Sequence, residues 1–485
     1  MPTPAERESL VRRAGPWLGL VALVALTFYP VLGFFFAQDD FGWLLLARYR
    51  WTSVANALAV YHGSFTPIPN LLLVVGVRLF GLAAGLFHAA NALFHLAATV
   101  LVVFLARRVT GRRDAAFFAA IFFATTLSHW EAVMWLAGGT PQVVASLFLL
   151  AAILVGARAV EAPGFSPWLA TFGLFVLALL TKETGVVGPL LLLVYLVFGR
   201  ERGGWPLPRL AWVQWTGALA PWALVWTAYL AFQAYGFNFV RLVSGGMYKA
   251  RLGDHVILNG LRYGLCLAVP DASSPHTAPH IQALSSLLYA GLISSESVAM
   301  YVAPLVLAWL FWRGGRVARF VISWVAVSLV PFVFLTGPLA ARYLYLASAG
   351  FAIGVGALFA RPVSRWARRV SVIVFWTVVG VNLVGNRLAE HTRLANGAVR
   401  LTIVATVAEV ANRATGPLTV YLVGLPDKYE DVVQGIVVWT RESVTPIRVS
   451  DEASLPPRST EAMAFVWRGG RIELKTQPPE RGSLD

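Results

Sequence analysis

Apolar runs of membrane-spanning length recur along this chain of 485 residues, and clusters of arginine separate them. A span needs about 20 apolar residues, fewer when it is buried in a bundle. About eleven stretches qualify, near residues 15–36, 84–106, 114–128, 141–157, 166–181, 185–199, 211–235, 298–312, 317–336, 341–360 and 369–385. With 58% hydrophobic and 13% charged residues and a mean hydropathy of +0.67, the chain is a polytopic helical membrane protein rather than one large soluble core.

The placement of charge sets the topology. Arg107, Arg108, Arg112, Arg113, Arg158, Arg200, Arg202, Arg209, Arg313, Arg316, Arg319, Arg361, Arg365, Arg368 and Arg369 all fall on the side that carries Arg7, Arg12 and Arg13. That side holds 18 basic and 5 acidic groups against 9 and 7 on the other, so it is the cytoplasmic one. Almost all of the net +15 lies there, which removes the nucleic-acid reading of a basic chain. The short segment before Trp17 leads into a full-length span and reads as an anchor rather than a cleaved signal. A plasma (inner) membrane protein with a cytoplasmic N-terminus is expected, in contact with lipid on all sides.

Two domains are expected: residues 1–385 as the transmembrane body, and 386–485 as a small soluble α/β module on the outer face. In the tail, 386–415 has helical spacing, Leu418 to Val423 reads as a strand, and Ala464 to Leu474 reads as a hairpin turning at Gly469-Gly470. The first outer loop, 37–83, mixes aromatics and arginines with Leu and Ala, as expected of helices lying in the interface. Its prolines, Pro67 and Pro69, suit the start of a helix over 71–80. A further interfacial helix or an extra span is expected over 255–269.

The first apolar run stops at Asp39-Asp40, two carboxylates at the outer water boundary. A partly desolvated carboxylate there can act as a base. The same outer face collects His129 and Glu131, between Trp130 and Trp135, then Lys182 after the fifth span and Arg342 before the tenth. His88, Asn91 and His95 share one face of the second span, turned toward the bundle. A carboxylate pair beside separated cations suits transfer of a group from a lipid-linked phosphate to a hydroxyl. The phosphate leaves ionised and needs cations, and the hydroxyl needs a base. Cys266, the one cysteine, excludes an internal disulfide, and His255, His276 and His280 lack metal-ligand spacing, so no cofactor or metal is expected.

The order of motifs resembles the GT-C membrane glycosyltransferases, particularly protein O-mannosyltransferase-like enzymes and their bacterial relatives. The marks are Gln38-Asp39-Asp40-Phe41; Phe87-His88-Ala89-Ala90-Asn91 with His95; His129-Trp130-Glu131-Ala132-Val133 with Trp135; Thr181-Lys182-Glu183; and Arg342-Tyr343-Leu344-Tyr345-Leu346. The resemblance covers about residues 15–385. It implies a polyprenyl-phosphate sugar donor and a glycan, lipid or protein acceptor. It implies Asp39 as base with Asp40 as its partner, Lys182 and Arg342 on the phosphate, and His129, Glu131 and His88 among the substrate contacts. Thr66-Pro67 stands where relatives often carry Arg-Pro, and no tetratricopeptide period follows the spans. A transporter or flippase, or a non-catalytic scaffold, is the alternative; the absence of an inverted repeat weighs against transport.

Overall fold

The computed structural model describes residues 4–51, 53–58, 65–161, 164–199, 222–232, 249–268, 296–337, 339–361, 364–414, 416–455 and 461–476. The chain is mostly helical. In order, the helices are α1 (Pro4–Phe28), α2 (Asp40–Leu45), α3 (Val54–Ala57), α4 (Pro67–Phe80), α5 (Ala84–Thr110), α6 (Arg113–Thr125), α7 (Trp130–Met134), α8 (Leu136–Glu161), α9 (Phe165–Thr181) and α10 (Gly188–Val194). There follow α11 (His255–Ala268), α12 (Glu296–Arg313), α13 (Arg316–Val333), α14 (Leu344–Phe359), α15 (Arg365–Ala411) and α16 (Val432–Trp439). Four strands close the chain: β1 (Leu418–Val423), β2 (Val444–Val449), β3 (Ala462–Arg468) and β4 (Arg471–Thr476).

Among the described residues six helices are long and apolar enough to cross a membrane: Ala14–Gly33, Ala84–Thr110, Leu136–Glu161, Arg316–Val333, Ala341–Phe359 and Arg365–Ala411. The stretch read as a span over 114–128 is instead a bent pair, Arg113–Thr125 and Leu127–Met134, with 52° between the parts. The run over 185–199 is broken into a 3₁₀ turn, the short α10 and a π-helical turn, and 166–181 forms a helix of 17 residues. Of the run at 211–235, only Trp222–Phe232 lies within the described residues, and it is helical. His276 and His280 lie outside the described residues.

The chain divides into two compact units. The first comprises Met1–Tyr29, Val60–Ile68 and Ala89–Glu390. Its helices meet through small residues, as expected where lipid gives no hydrophobic drive to bring helices together. A Cβ on Gly356 would stand 2.2 Å from the Ala115 carbonyl oxygen, so α14 and α6 touch backbone to backbone. A Cβ on Gly350 would strike the Trp324 ring at 2.2 Å. Arg316 closes helix ends on the arginine-rich side: its guanidinium donates to Gly199 O (2.8 Å) and Val109 O (2.6 Å), carbonyls in the last turns of their helices.

The second unit comprises Pro30–Ala59, Pro69–His88 and His391–Asp485. Its sheet has the order β2-β1-β3-β4, with β1 parallel to both β2 and β3, and β4 antiparallel to β3. The hairpin turns at Gly469 (φ 56°) and Gly470 (φ 87°), a left-handed pair that glycine adopts freely. Pro446 sits on β2 at the sheet edge, where a missing donor costs least. Ile403, Val404, Val407 and Ala411 of α15 and Val432 and Ile436 of α16 bury against Val420, Leu422 and Phe465. β1 and the hairpin lie where the alternating pattern predicts them. α15 runs 47 residues without a break, about 70 Å, so the run at 369–385 and the helical pattern at 386–415 are one element.

Candidate functional site

In the first unit, the bend between α6 and α8 organises the site. A helix that breaks in apolar surroundings exposes backbone groups that side chains must satisfy. Asn91 Nδ2 donates to the Ala132 (3.0 Å) and Val133 (2.8 Å) carbonyls, and Leu127 N donates to Asn382 Oδ1 (2.7 Å). Ser128 Oγ donates to Cys266 O (2.8 Å), and His129 Nε2 lies 2.6 Å from Ser348 Oγ. His95 Nδ1 meets the Tyr345 hydroxyl at 2.8 Å. A Cβ on Gly139 would fall 2.2 Å from Ala132 O, so glycine is required where α8 begins to run beside α7.

This bend presents Glu131 to Arg342, 211 positions away. One carboxylate oxygen accepts from the Arg342 backbone N–H at 3.0 Å, and the other pairs with its Nη1. The guanidinium carbon lies 5.1 Å from the Trp135 ring and 4.8 Å from the Tyr343 ring. Tyr343 in turn stacks on Phe332 at 4.0 Å. Glu131 is 7% exposed and Arg342 9%, so two buried, opposite charges neutralise each other between aromatic faces.

Lys182 behaves differently. It ends α9, is half-buried, and among the described residues its side chain has no hydrogen-bond or ion-pair partner. Burial pulls its pKa below the ordinary lysine range; Glu183 opposes that shift, the Arg342 charge adds to it, and Glu131 again opposes it. Lys182, Arg342 and Glu131 therefore share one electrostatic neighbourhood. Three donors at the start of α8 are also buried without a partner among the described residues: Trp135 Nε1, Thr140 Oγ1 and Gln142 Nε2. Gln142 Oε1 accepts from Thr184 Oγ1 (2.9 Å), which ties this amide to the turn that follows Lys182. A cation without a side-chain partner among the described residues, joined through Thr184 to an amide with an unsatisfied N–H, is chemistry that suits an anion.

In the second unit, the acid turn lies between two fully buried rings, Phe36 and Phe41. Asp40 is buried, and its Oδ2 accepts the Ala37 N–H at 3.0 Å, so it shapes the turn. Asp39 precedes α2, makes no capping bond with its side chain, and is exposed. The two acids are therefore not equivalent: one is built into the backbone turn and the other is free to work. His88 is buried in this unit, edge-on to Phe34 at 5.4 Å.

Of the residues singled out in the sequence, Glu131, Lys182 and Arg342 come together in the first unit. His129 is fully buried behind them, against Phe123 and Tyr345, each with ring centroid 4.5 Å away. Sequence reasoning missed the pairing of Glu131 with Arg342 and the unsatisfied donors of Thr140 and Gln142. The Trp130 to Gln142 stretch, rich in polar groups and glycine between two apolar runs, carried the only signal for them. No group of three or more metal-ligating side chains occurs among the described residues.

Residues 64–226 match the family model described as dolichyl-phosphate-mannose-protein mannosyltransferase, an interval that holds Glu131, Trp135, Gln142 and Lys182. The protein O-mannosyl-transferase TMTC1 of Mus musculus is 30% identical over 167 residues, and that of Homo sapiens 31% over 147. These alignments cover 31% and 28% of this chain but 18% and 17% of the relatives, so the chain matches less than a fifth of their length. ArnT from Cupriavidus metallidurans, solved bound to undecaprenyl phosphate, superposes with a TM-score of 0.53 at 17% identity, covering 93% of both chains. The chain thus shares the fold of ArnT over nearly its whole length, and the third of it that holds Glu131, Trp135, Gln142 and Lys182 matches the mannosyltransferase family model.

Proposed function

We propose that the protein transfers a hexose or pentose from a polyprenyl-phosphate donor to an acceptor hydroxyl of a glycan, lipid or protein on the extracytoplasmic side of the inner membrane. The observation that carries this reading is Lys182, which among the described residues has no side-chain partner, in one electrostatic neighbourhood with Arg342, while Gln142, bonded to the turn that follows Lys182, keeps its Nε2 donor unsatisfied. A GT-C relative of the same fold was solved with a polyprenyl phosphate bound. The arginine bias supports a cytoplasmic N-terminus. Residues 1–385 would then act as the transferase body and 386–485 as an extracytoplasmic module.

In the proposed reaction, Asp39 takes the proton of the acceptor hydroxyl while that oxygen attacks the anomeric carbon. The bond from that carbon to the phosphate oxygen breaks, and its electron pair leaves on the polyprenyl phosphate. Lys182 stabilises the departing charge, so no general acid is needed. Direct displacement of this kind inverts the anomeric centre. Arg342, held by Glu131, offers the phosphate directed N–H groups more than net charge. His129 supports the bend that presents Glu131, and His88 packs beneath the acid turn. The position of the ionisable groups next to helix ends (Asp39, Lys182, Arg342) favours an enzyme over a transporter, whose coupling groups sit at mid-span.

The test uses the full chain in membranes with a radiolabelled polyprenyl-phosphate hexose. Asp39→Asn is expected to lower kcat by about 10²–10⁴ with donor binding intact. Lys182→Gln is expected to weaken undecaprenyl phosphate binding at least about tenfold, the loss of one charge-assisted contact. Transfer at the parental rate by both Asp39→Asn and Asp39→Ala would overturn the catalytic assignment. Unchanged lipid-phosphate binding by Lys182→Gln would overturn the anion site.

A further inference from the structure

The acid turn is not an independent loop; it is built onto the C-terminal module. Gln38, immediately before Asp39, has φ 56°, the one non-glycine residue with positive φ among the described residues. A side chain in that left-handed region is strained and persists only where its surroundings hold it. What holds it is a hydrogen bond from the Gln38 N–H to Asp431 Oδ2, at 2.5 Å, just before α16. The same oxygen accepts from Arg400 Nε (2.7 Å) on α15, and Arg400 Nη2 donates to Lys428 O (3.0 Å). The Arg400–Asp431 pair is nearly buried, with 11% and 13% of the two side chains exposed.

Two more contacts fix the same segment. Gly435 of α16 leaves room for Phe41, whose ring a Cβ there would meet at 2.8 Å. Phe41 also lies 6.3 Å, centroid to centroid, from Trp439. Downstream, the Tyr49 hydroxyl reaches the carbonyls of Val437 and Thr440, each at 3.3 Å, at the end of α16. Residues on both sides of Asp39 are thus held by one short helix some 390 positions later in the chain.

We infer that the C-terminal α/β module is a positioning device for Asp39, with Asp431 and Arg400 as the residues that set the backbone from which its carboxylate projects. This rests on the reading of Asp39 as the base. The module does not touch the reacting atoms; it fixes a turn that the local sequence disfavours, and a base must be held in place to act. The same oxygen of Asp431 faces Arg400 and receives the strained amide, so one carboxylate carries both contacts.

The experiment compares Asp431→Asn, Tyr49→Phe and Asp39→Asn in the full-length protein, with hydrogen exchange of the peptide covering 34–43 read beside transfer. Asp431→Asn is expected to speed exchange in that peptide at least about tenfold and to leave β1 unchanged. It should also lower kcat at least about tenfold with donor KM within about twofold, since a small misplacement of a catalytic group is that costly. Tyr49→Phe, which keeps the buried pair, is expected to shift both readouts the same way by about two- to fivefold. Unchanged exchange at 34–43 in both variants, or faster exchange with parental kcat, overturns the inference. If Asp39→Asn itself transfers normally, the function assigned to the turn fails, while the exchange data still report on the anchoring alone.

Discussion

Glu131→Gln separates holding Arg342 from binding substrate, because the two roles predict opposite effects on an anion. The substitution keeps size and one oxygen but leaves the guanidinium, 9% exposed, without its counter-charge. Removing one partner of a buried pair costs about 3–5 kcal/mol. The Trp135 and Tyr343 faces stay in contact with the guanidinium in both proteins and cancel in the difference, so the full loss of about 3–5 kcal/mol is expected. In thermal unfolding followed by size exclusion in detergent, that corresponds to a midpoint about 3–5 °C lower for a chain of 485 residues. Pairing it with Arg342→Gln should recover about 2–3 kcal/mol, the coupling of groups in direct contact. At the same time the site becomes more positive by one charge. Over about 8 Å at an effective dielectric of about 20, this adds about 2 kcal/mol of attraction for a phosphate, so undecaprenyl phosphate should bind more tightly, by about thirtyfold at most. A Glu131→Gln protein with parental stability and weakened lipid-phosphate binding would refute the reasoning and make Glu131 a substrate contact.

Two further outcomes follow from the same geometry. Lys182 has its pKa lowered from 10.5 by burial, so phosphate affinity should fade as pH rises through a value below the ordinary lysine range. Fold stability should rise with pH between that value and 10.5, because the unfolded chain binds the extra proton there; Lys182→Gln should abolish both dependences, as read by titrated lipid binding and unfolding. Gly356→Val would drive a branched side chain into the Ala115 backbone and should destabilise by about 3 kcal/mol or more, beyond ordinary overpacking, measured as loss of folded protein on heating in detergent.

Where the cause is local, the sequence carried the answer. The 418–423 strand, the Gly469-Gly470 hairpin and the long apolar helices follow from periodicity and turn chemistry, which act between neighbours along the chain. The bend at Thr126 was not visible, because Thr125, Thr126 and Ser128 at the end of the apolar run over 114–128 are residues that a continuous membrane helix also tolerates. What supports it is a set of partners from distant helices: Asn91 and Asn382 satisfy freed backbone groups, and Ser348 meets the His129 ring. In the same way, Asp39 and Asp40 look interchangeable as neighbours, and only the hydrogen bond from Ala37 makes one structural and the other free.

The sequence by itself determined that this chain lives in a membrane, which side its arginines favour, and which polar residues had to be explained. Those conclusions rest on solvation, and the transfer of a side chain between water and lipid depends on little beyond its own chemistry. Tertiary structure alone decided that Arg342 is neutralised by Glu131 while the Lys182 side chain has no partner among the described residues, and that a helix near the C-terminus supports a strained turn near the N-terminus. Charge pairing and hydrogen bonding fall off within a few ångströms, so they are fixed by which distant segments the fold brings into contact.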